Sequence, residues 1–153
     1  MGSRVRLHMR REFSIVRVKR EVMQWAFPVS WDDVESNPLA GPFSQLDQLR
    51  LDVALGCFPF ARRTRDGRRA WRITQQGSGT VEVWLTSDGS LFIEGDCTLN
   101  LICSLFSHLF ETQPNLVIED RITGVVHNER SLLRAMRQDE SAMLPFDMPE
   151  AAA

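Results

Sequence analysis

Apolar and polar positions alternate most regularly around residues 81–94, and the alternation then gives way to a helical period. The run Val81-Glu-Val-Trp-Leu-Thr is followed by Ser87-Asp88-Gly89 and then by Ser-Leu-Phe-Ile-Glu-Gly. Asp88-Gly89 between alternating apolar residues is a strong hairpin signal, because glycine takes positive φ without steric cost. A two-residue loop would mix apolar side chains on both faces. A three-residue loop over 87–89, with Gly89 as the bulge residue, sets Leu85 against Leu91 and Val83 against Ile93. Trp84 then pairs with Phe92 on the other face, beside Glu82 opposite Glu94. That register is predicted, since it gives one aliphatic face and one face with a cross-strand aromatic pair.

Leu99, Ile102, Leu105, Phe106, Leu109 and Phe110 recur at spacings of three and four, which predicts a helix capped by Asp96 and ending near Gln113, before Pro114. A second helix is expected over Ser44 to Cys57, with Ser44 as cap and Gly56 near its end. Its apolar positions are Leu46, Leu49, Val53 and Leu55, with Asp47, Arg50 and Asp52 between them. Asn128 is expected to cap a last helix, with Glu129 in its first turn and Arg134 and Arg137 near its end. Strands are expected at Phe13 to Val18 and then from about Phe60, Arg68, Thr80 and Leu91, turning at Asp66-Gly67 and Gly77-Ser78-Gly79. Two short strands follow at Leu116 to Glu119 and Ile122 to His127. The irregular stretch Val22 to Phe43 carries Trp25, Phe27 and Trp31 among Pro28, Pro38 and Pro42, and is expected to pack as a lid. Within it, Ser30 is placed to cap a short turn through Asp32-Asp33.

These elements predict an α+β fold: an antiparallel β-meander of about four strands, further short strands, and two to three helices packed on one face. The domain is expected over residues 9–138. Gly2-Ser3 and His8-Met9 give residues 1–8 the look of a cloning remnant, and residues 139–153 read as a tail with little order.

Composition changes this picture in two ways. With 153 residues, 43% hydrophobic and 25% charged, the chain has room for a real core. No apolar run approaches the ~20 residues needed to span a bilayer, no secretory signal pattern appears, and three cysteines (Cys57, Cys97, Cys103) form no disulfide framework. A cytoplasmic protein is expected. The net charge of −2 also conceals an asymmetry. Residues 1–76 hold 14 Arg and Lys against 8 Asp and Glu, or +6, while residues 77–153 hold 4 against 12, or −8. Either the halves neutralise each other, or each faces a partner of opposite sign.

Candidate chemistry is sparse. Cys97, Cys103 and His108 share one expected helix at spacings of six and five, which puts them on different faces, so no metal site is expected. His108 and His127 sit in no nucleophile–base signature. Gly77-Ser78-Gly79 has no following helix and is a turn rather than a phosphate loop. No cofactor is expected. Glu94, Asp96, Glu119 and Asp120 end two strands and together form an acidic edge. The run Arg62-Arg63-Thr-Arg65-Asp-Gly-Arg68-Arg69-Ala-Trp71-Arg72 is a basic hairpin that could grip a nucleic-acid backbone and stack a base. Against this stands a sequence pI of about 5.9, which is low for a nucleic-acid domain.

The order of helix, three strands, helix, two strands and helix after Ser44 is broadly similar to the plan of bacterial secretion chaperones. Small toxin-immunity proteins often have mixed α/β folds of this size. The resemblance is one of plan and carries no matching motif. It implies a non-enzymatic, bacterial-type binding protein that masks or regulates a partner protein. The expected surface is Trp84 and Phe92, rimmed by Glu82, Glu94, Asp96, Glu119 and Asp120, and suited to a partner with a basic surface. A homodimer through an exposed strand is compatible with the same reading. The alternatives are nucleic-acid binding through Arg62, Arg63, Arg65, Arg68, Arg69, Trp71 and Arg72, and a small enzyme or ligand binder with a pocket under Trp25 to Phe43.

Overall fold

The structure is a computed structural model and describes residues 8–35, 42–64, 70–86 and 90–147, with 139–147 described by backbone alone. Among these, eight strands form one antiparallel sheet: β1 (Met9–Arg17), β2 (Val29–Ser30), β3 (Ala61–Arg63), β4 (Ala70–Gln75), β5 (Gly79–Leu85), β6 (Leu91–Cys97), β7 (Leu116–Asp120) and β8 (Val125–His127). Their order across the sheet is β2-β8-β7-β1-β6-β5-β4-β3. The helices are α1 (Trp31–Glu35), α2 (Gln45–Gly56), α3 (Leu99–Thr112) and α4 (Glu129–Asp147).

The α+β class and the antiparallel sheet agree with expectation, but four strands and two to three helices are too few. β3 to β6 are the expected meander. β1 inserts between β6 and β7, joining the meander to the C-terminal strands in one sheet. β2 and α1 arise inside the proline-rich stretch, where Val29 and Ser30 pair with Val126 and Val125. No local periodicity announces a two-residue strand whose partner lies about a hundred residues away.

The predicted hairpin register is the observed one: Glu82 faces Glu94, Val83 faces Ile93, Trp84 faces Phe92 and Leu85 faces Leu91. Residues 87–89 lie outside the described residues, but the pairing closes at Thr86, whose N–H donates to the Ser90 carbonyl at 2.9 Å. Val81, Val83, Leu85, Leu91 and Ile93 are buried under the helices, in a core that also takes Phe13 and Ile15 from β1, Leu51 and Leu55 from α2, Leu101 to Leu109 from α3, and Leu132 from α4. α2, α3 and α4 therefore cover one sheet face, as the aliphatic side of the hairpin requires.

Three local expectations are corrected. Asp96 is not the helix cap; it lies in β6, and the Thr98 hydroxyl accepts from the Leu101 N–H instead. The physical reason is that β6 is a central strand, paired through Cys97 with both Met9 and Gly79, and this delays the helix by two residues. In α2 the buried residues are Leu51, Ala54 and Leu55, while Leu46, Leu49 and Val53 face outward. The helix is apolar on two sides: of the expected apolar positions Leu55 enters the core, and Leu46, Leu49 and Val53 do not. Finally, α4 continues to Asp147, into the stretch expected to be a tail. The expected caps are found elsewhere: Ser44 accepts from the Asp47 N–H at 3.1 Å, Asn128 from the Ser131 N–H at 2.8 Å, and Ser30 is placed 3.4 Å from the Asp33 N–H.

The opposite sheet face is covered over half its width. Val22, Phe27 and Val34 pack with Val18, Val117 and Val126, flanked by Trp25, Val29 and Trp31. This second cluster sits over β1, β7 and β8, so Leu116, Val117 and Ile118 of β7 are all buried. The aromatic-rich stretch is a lid, but its place is over β7 and β8 rather than over the hairpin.

Candidate functional site

The half of the sheet over β3 to β6 and the start of β1, which the lid does not reach among the described residues, carries the hairpin's non-aliphatic face. Trp84 and Phe92 are both partly exposed there and stack with ring centroids 5.8 Å apart at 27°. The Arg121 guanidinium lies 4.7 Å from the centre of the Phe92 ring, so the pair is held from one side by a cation–π contact. In the next register row, Arg62, Arg72, Glu82, Glu94 and Glu12 stand side by side across five strands. Three neighbouring carboxylates repel one another, and two arginines offset this. Arg72 donates to Glu82 at 2.9 Å, and Arg10 contacts both Glu94 at 3.2 Å and Glu12 at 3.5 Å.

Of the expected acidic rim, Glu82, Glu94, Asp96 and Glu119 share the face of Trp84 and Phe92, whereas Asp120, paired with Phe13, falls on the helix-covered side of the sheet. Glu119 accepts from the Ser14 hydroxyl at 2.9 Å. Asp120 accepts from the Ile122 and Thr123 N–H groups and so shapes the turn before β8. Asp96 is exposed, opposite Thr80 and Arg10. The surface is one of alternating charge around an aromatic pair, rather than a free acidic edge.

The basic run is divided by the fold. Arg65, Arg68 and Arg69 lie outside the described residues. Trp71 shares the core face with Ile73, packs on the main core, and donates its indole N–H to Asp52 of α2 at 2.9 Å. Arg63 pairs with the same carboxylate at 2.8 Å and lies 4.3 Å from the Trp71 ring centre. The Trp71–Asp52–Arg63 cluster ties α2 to the sheet edge, so this indole is not the one that stacks a base. The period-two run Trp71, Ile73 already signals an inward tryptophan. Arg62 and Arg72 point to the open face.

Among the described residues a histidine and a serine hydroxyl meet at His127 and Ser131, in a capping contact. His127 Nδ1 lies 3.0 Å from Ser131 Oγ, but that hydroxyl is buried and also accepts from the Asn128 N–H at 3.0 Å. With Asn128 receiving the Ser131 N–H, this is a reciprocal helix cap. Burial lowers the His127 pKa, against the opposing charge of Asp120. Cys97 is buried, and desolvation pushes its thiol up to about 11 despite the nearby Arg11. His108 Nε2 contacts the Ala54 carbonyl at 2.6 Å, and its ring meets Phe58 edge-on at 5.3 Å. Among the described residues no group of three His, Cys, Asp or Glu side chains is arranged to hold a metal ion, and no helix is long and apolar enough to cross a membrane.

Two features escaped the sequence reading. Leu46, Leu49 and Val53 are 56%, 48% and 66% exposed along α2, above a groove of about 600 Å3 that Cys57 and His108 help to line. The other is Phe60, 72% exposed at the start of β3 with φ +66°. It joins Arg62, Arg63, Thr64, Arg72 and Thr74 around a cleft of about 680 Å3. The signal for the first was present in the i, i+3, i+7 spacing of residues 46, 49 and 53. In comparisons with known proteins, the chain matches no family model and no curated protein.

Proposed function

We propose that the chain is a bacterial-type, non-enzymatic protein-binding module that masks or regulates a partner protein, in the manner of an immunity protein, chaperone or adaptor. The observation that carries this reading is the stacked Trp84–Phe92 pair on the half of the sheet face left open by the lid. Aromatic side chains held rigid by strand pairing and stacking are effective interface anchors, because little conformational entropy is lost when a partner covers them. Glu82, Glu94, Asp96 and Glu119 share the anchor's face, while Asp120 is turned to the helix side and shapes the turn before β8. Glu94 and Glu12 face each other and share Arg10, so a cationic group from the partner relieves a like-charge contact at that point. The partner is therefore a protein segment that combines an apolar anchor with Arg or Lys. A reducing cytoplasm suits the three free cysteines.

The test is a Trp84→Ala, Glu94→Arg double variant, immobilised in native lysate beside the wild type and a Leu49→Glu variant of α2. The double variant is expected to retain the wild-type partner at least tenfold more weakly, with its thermal melt still cooperative. Leu49→Glu is expected to retain it normally. Unchanged affinity in a folded double variant would rule out the sheet face, and loss in Leu49→Glu alone would move the interface to α2.

A further inference from the structure

We infer that the cleft between β3 and β4 binds a nucleotide, with Phe60 as the base platform and Arg62 and Arg72 as the phosphate site. This inference does not rest on the Trp84 surface; it comes from a different edge of the sheet and different side chains.

Three observations converge on it. First, Arg62 stands directly opposite Arg72 in the β3–β4 ladder, both on the open face. Like charges placed opposite each other are unfavourable. Arg72 is satisfied by Glu82, to which its Nε and one terminal nitrogen donate at 3.3 and 2.9 Å. Arg62 has no carboxylate partner among the described residues. A phosphate between the two guanidiniums turns that repulsion into two charge-assisted contacts, using N–H groups of Arg72 that Glu82 leaves free.

Second, Phe60 holds an aromatic ring in water at the mouth of the same cleft. Its φ of +66° is a conformation that bulky side chains rarely adopt. Phe58, two residues earlier, is buried against His108, so the backbone bend sends one aromatic into the core and the next outward. Strain that yields an exposed aromatic points toward use of that ring. Third, the cleft, at about 680 Å3, is of the size that takes small ligands, and Thr64 and Thr74 add hydroxyls to its lining. An exposed aromatic beside Arg62, which has no carboxylate partner among the described residues, and Arg72, whose remaining N–H groups are free of Glu82, matches a nucleotide, whose base has a π-face and whose phosphate is anionic. An acidic peptide would use the arginines and leave Phe60 idle.

A free nucleotide and a nucleotide within a single strand share this chemistry, and the probes separate them. Labelled oligothymidylate, ATP and polyglutamate are titrated into the full chain at about 50 and 200 mM salt. The wild type is expected to bind ATP or oligothymidylate, more weakly at the higher salt. A preference for the oligomer assigns the single strand, and comparable affinities assign the mononucleotide. Arg62→Glu is expected to weaken binding at least tenfold and Phe60→Ala roughly fivefold or more. Both residues are exposed, so melting temperatures should stay near wild type, and Arg20→Glu serves as a charge control with binding intact. Failure of both nucleotide probes to bind at the lower salt overturns the inference. So does binding insensitive to Arg62→Glu, or loss with Arg62→Glu while Phe60→Ala is silent and polyglutamate competes.

Discussion

His127 is the side chain whose protonation the fold resists most clearly. It is partly buried in β8 with Ser131 Oγ at Nδ1, and burial lowers its pKa below the ordinary 6.5. Above that ordinary value both folded and unfolded chains hold a neutral ring, and the residue adds no pH dependence. As pH falls through about 6.5 the unfolded state takes up the proton first, so stability declines until the lower folded-state pKa is passed. Urea unfolding at about pH 7.5 and 5.5 is expected to show a lower midpoint in acid, by more in the wild type than in His127→Gln. Equal pH dependence in the two proteins would show that the ring titrates freely.

At the scale of elements, β5 and β6 leave no room for a side chain at two glycines near the ends of their pairing. A Cβ on Gly95 would lie 2.1 Å from the Thr80 carbonyl oxygen, and one on Gly79 would lie 2.2 Å from that of Asp96. Both neighbours are backbone in paired strands, so neither can give way. Gly95→Ala is expected to cost about 2–4 kcal/mol, from overpacking combined with a positive φ. Gly77→Ala, in the open turn with nothing within 4 Å of its Cβ, should cost only about 1–2 kcal/mol. Chemical denaturation of the two variants measures the difference, and equal costs would mean that the strands separate to admit the methyl group. The same scale explains α2. Asp52 receives both Trp71 and Arg63, anchoring the helix through its polar side while Leu51 and Leu55 enter the core.

At the scale of the molecule, the two oppositely charged halves of the chain interlock. β1, from the basic half, lies between β6 and β7 of the acidic half, and Arg10–Glu94 and Arg72–Glu82 join the halves across the sheet. These pairs are exposed, so each contributes about 0–1 kcal/mol and the main stabilisation remains apolar burial. The continuity of that core sets thiol access. Cys57 is exposed, whereas Cys97 and Cys103 are buried, and at about pH 8 Cys97 holds roughly a thousandth of its population as thiolate. An aromatic disulfide reagent is therefore expected to titrate one thiol rapidly in the native protein and all three after denaturation. Rapid reaction of all three in the native state would contradict a closed core.

The alternation in residues 81–94 was enough to determine the hairpin, its register and its inward face, because a one-residue slip would have exposed every aliphatic side chain. The caps at Ser44 and Asn128 and the stripe of α3 were equally local, as were the absence of a zinc-finger spacing and of a phosphate loop. Only tertiary structure decided where β1 inserts, which of two apolar sides of α2 is buried, and that the lid covers β7 and β8 while leaving Trp84 and Phe92 partly exposed. Each of those outcomes depends on pairing or packing between distant segments, which local periodicity does not encode. Charge followed the same division. The carboxylates and arginines were readable in the chain, but their pairing across the strands, and the position of Arg62 beside Phe60 with no carboxylate partner among the described residues, exist only once the register of the whole sheet has placed them.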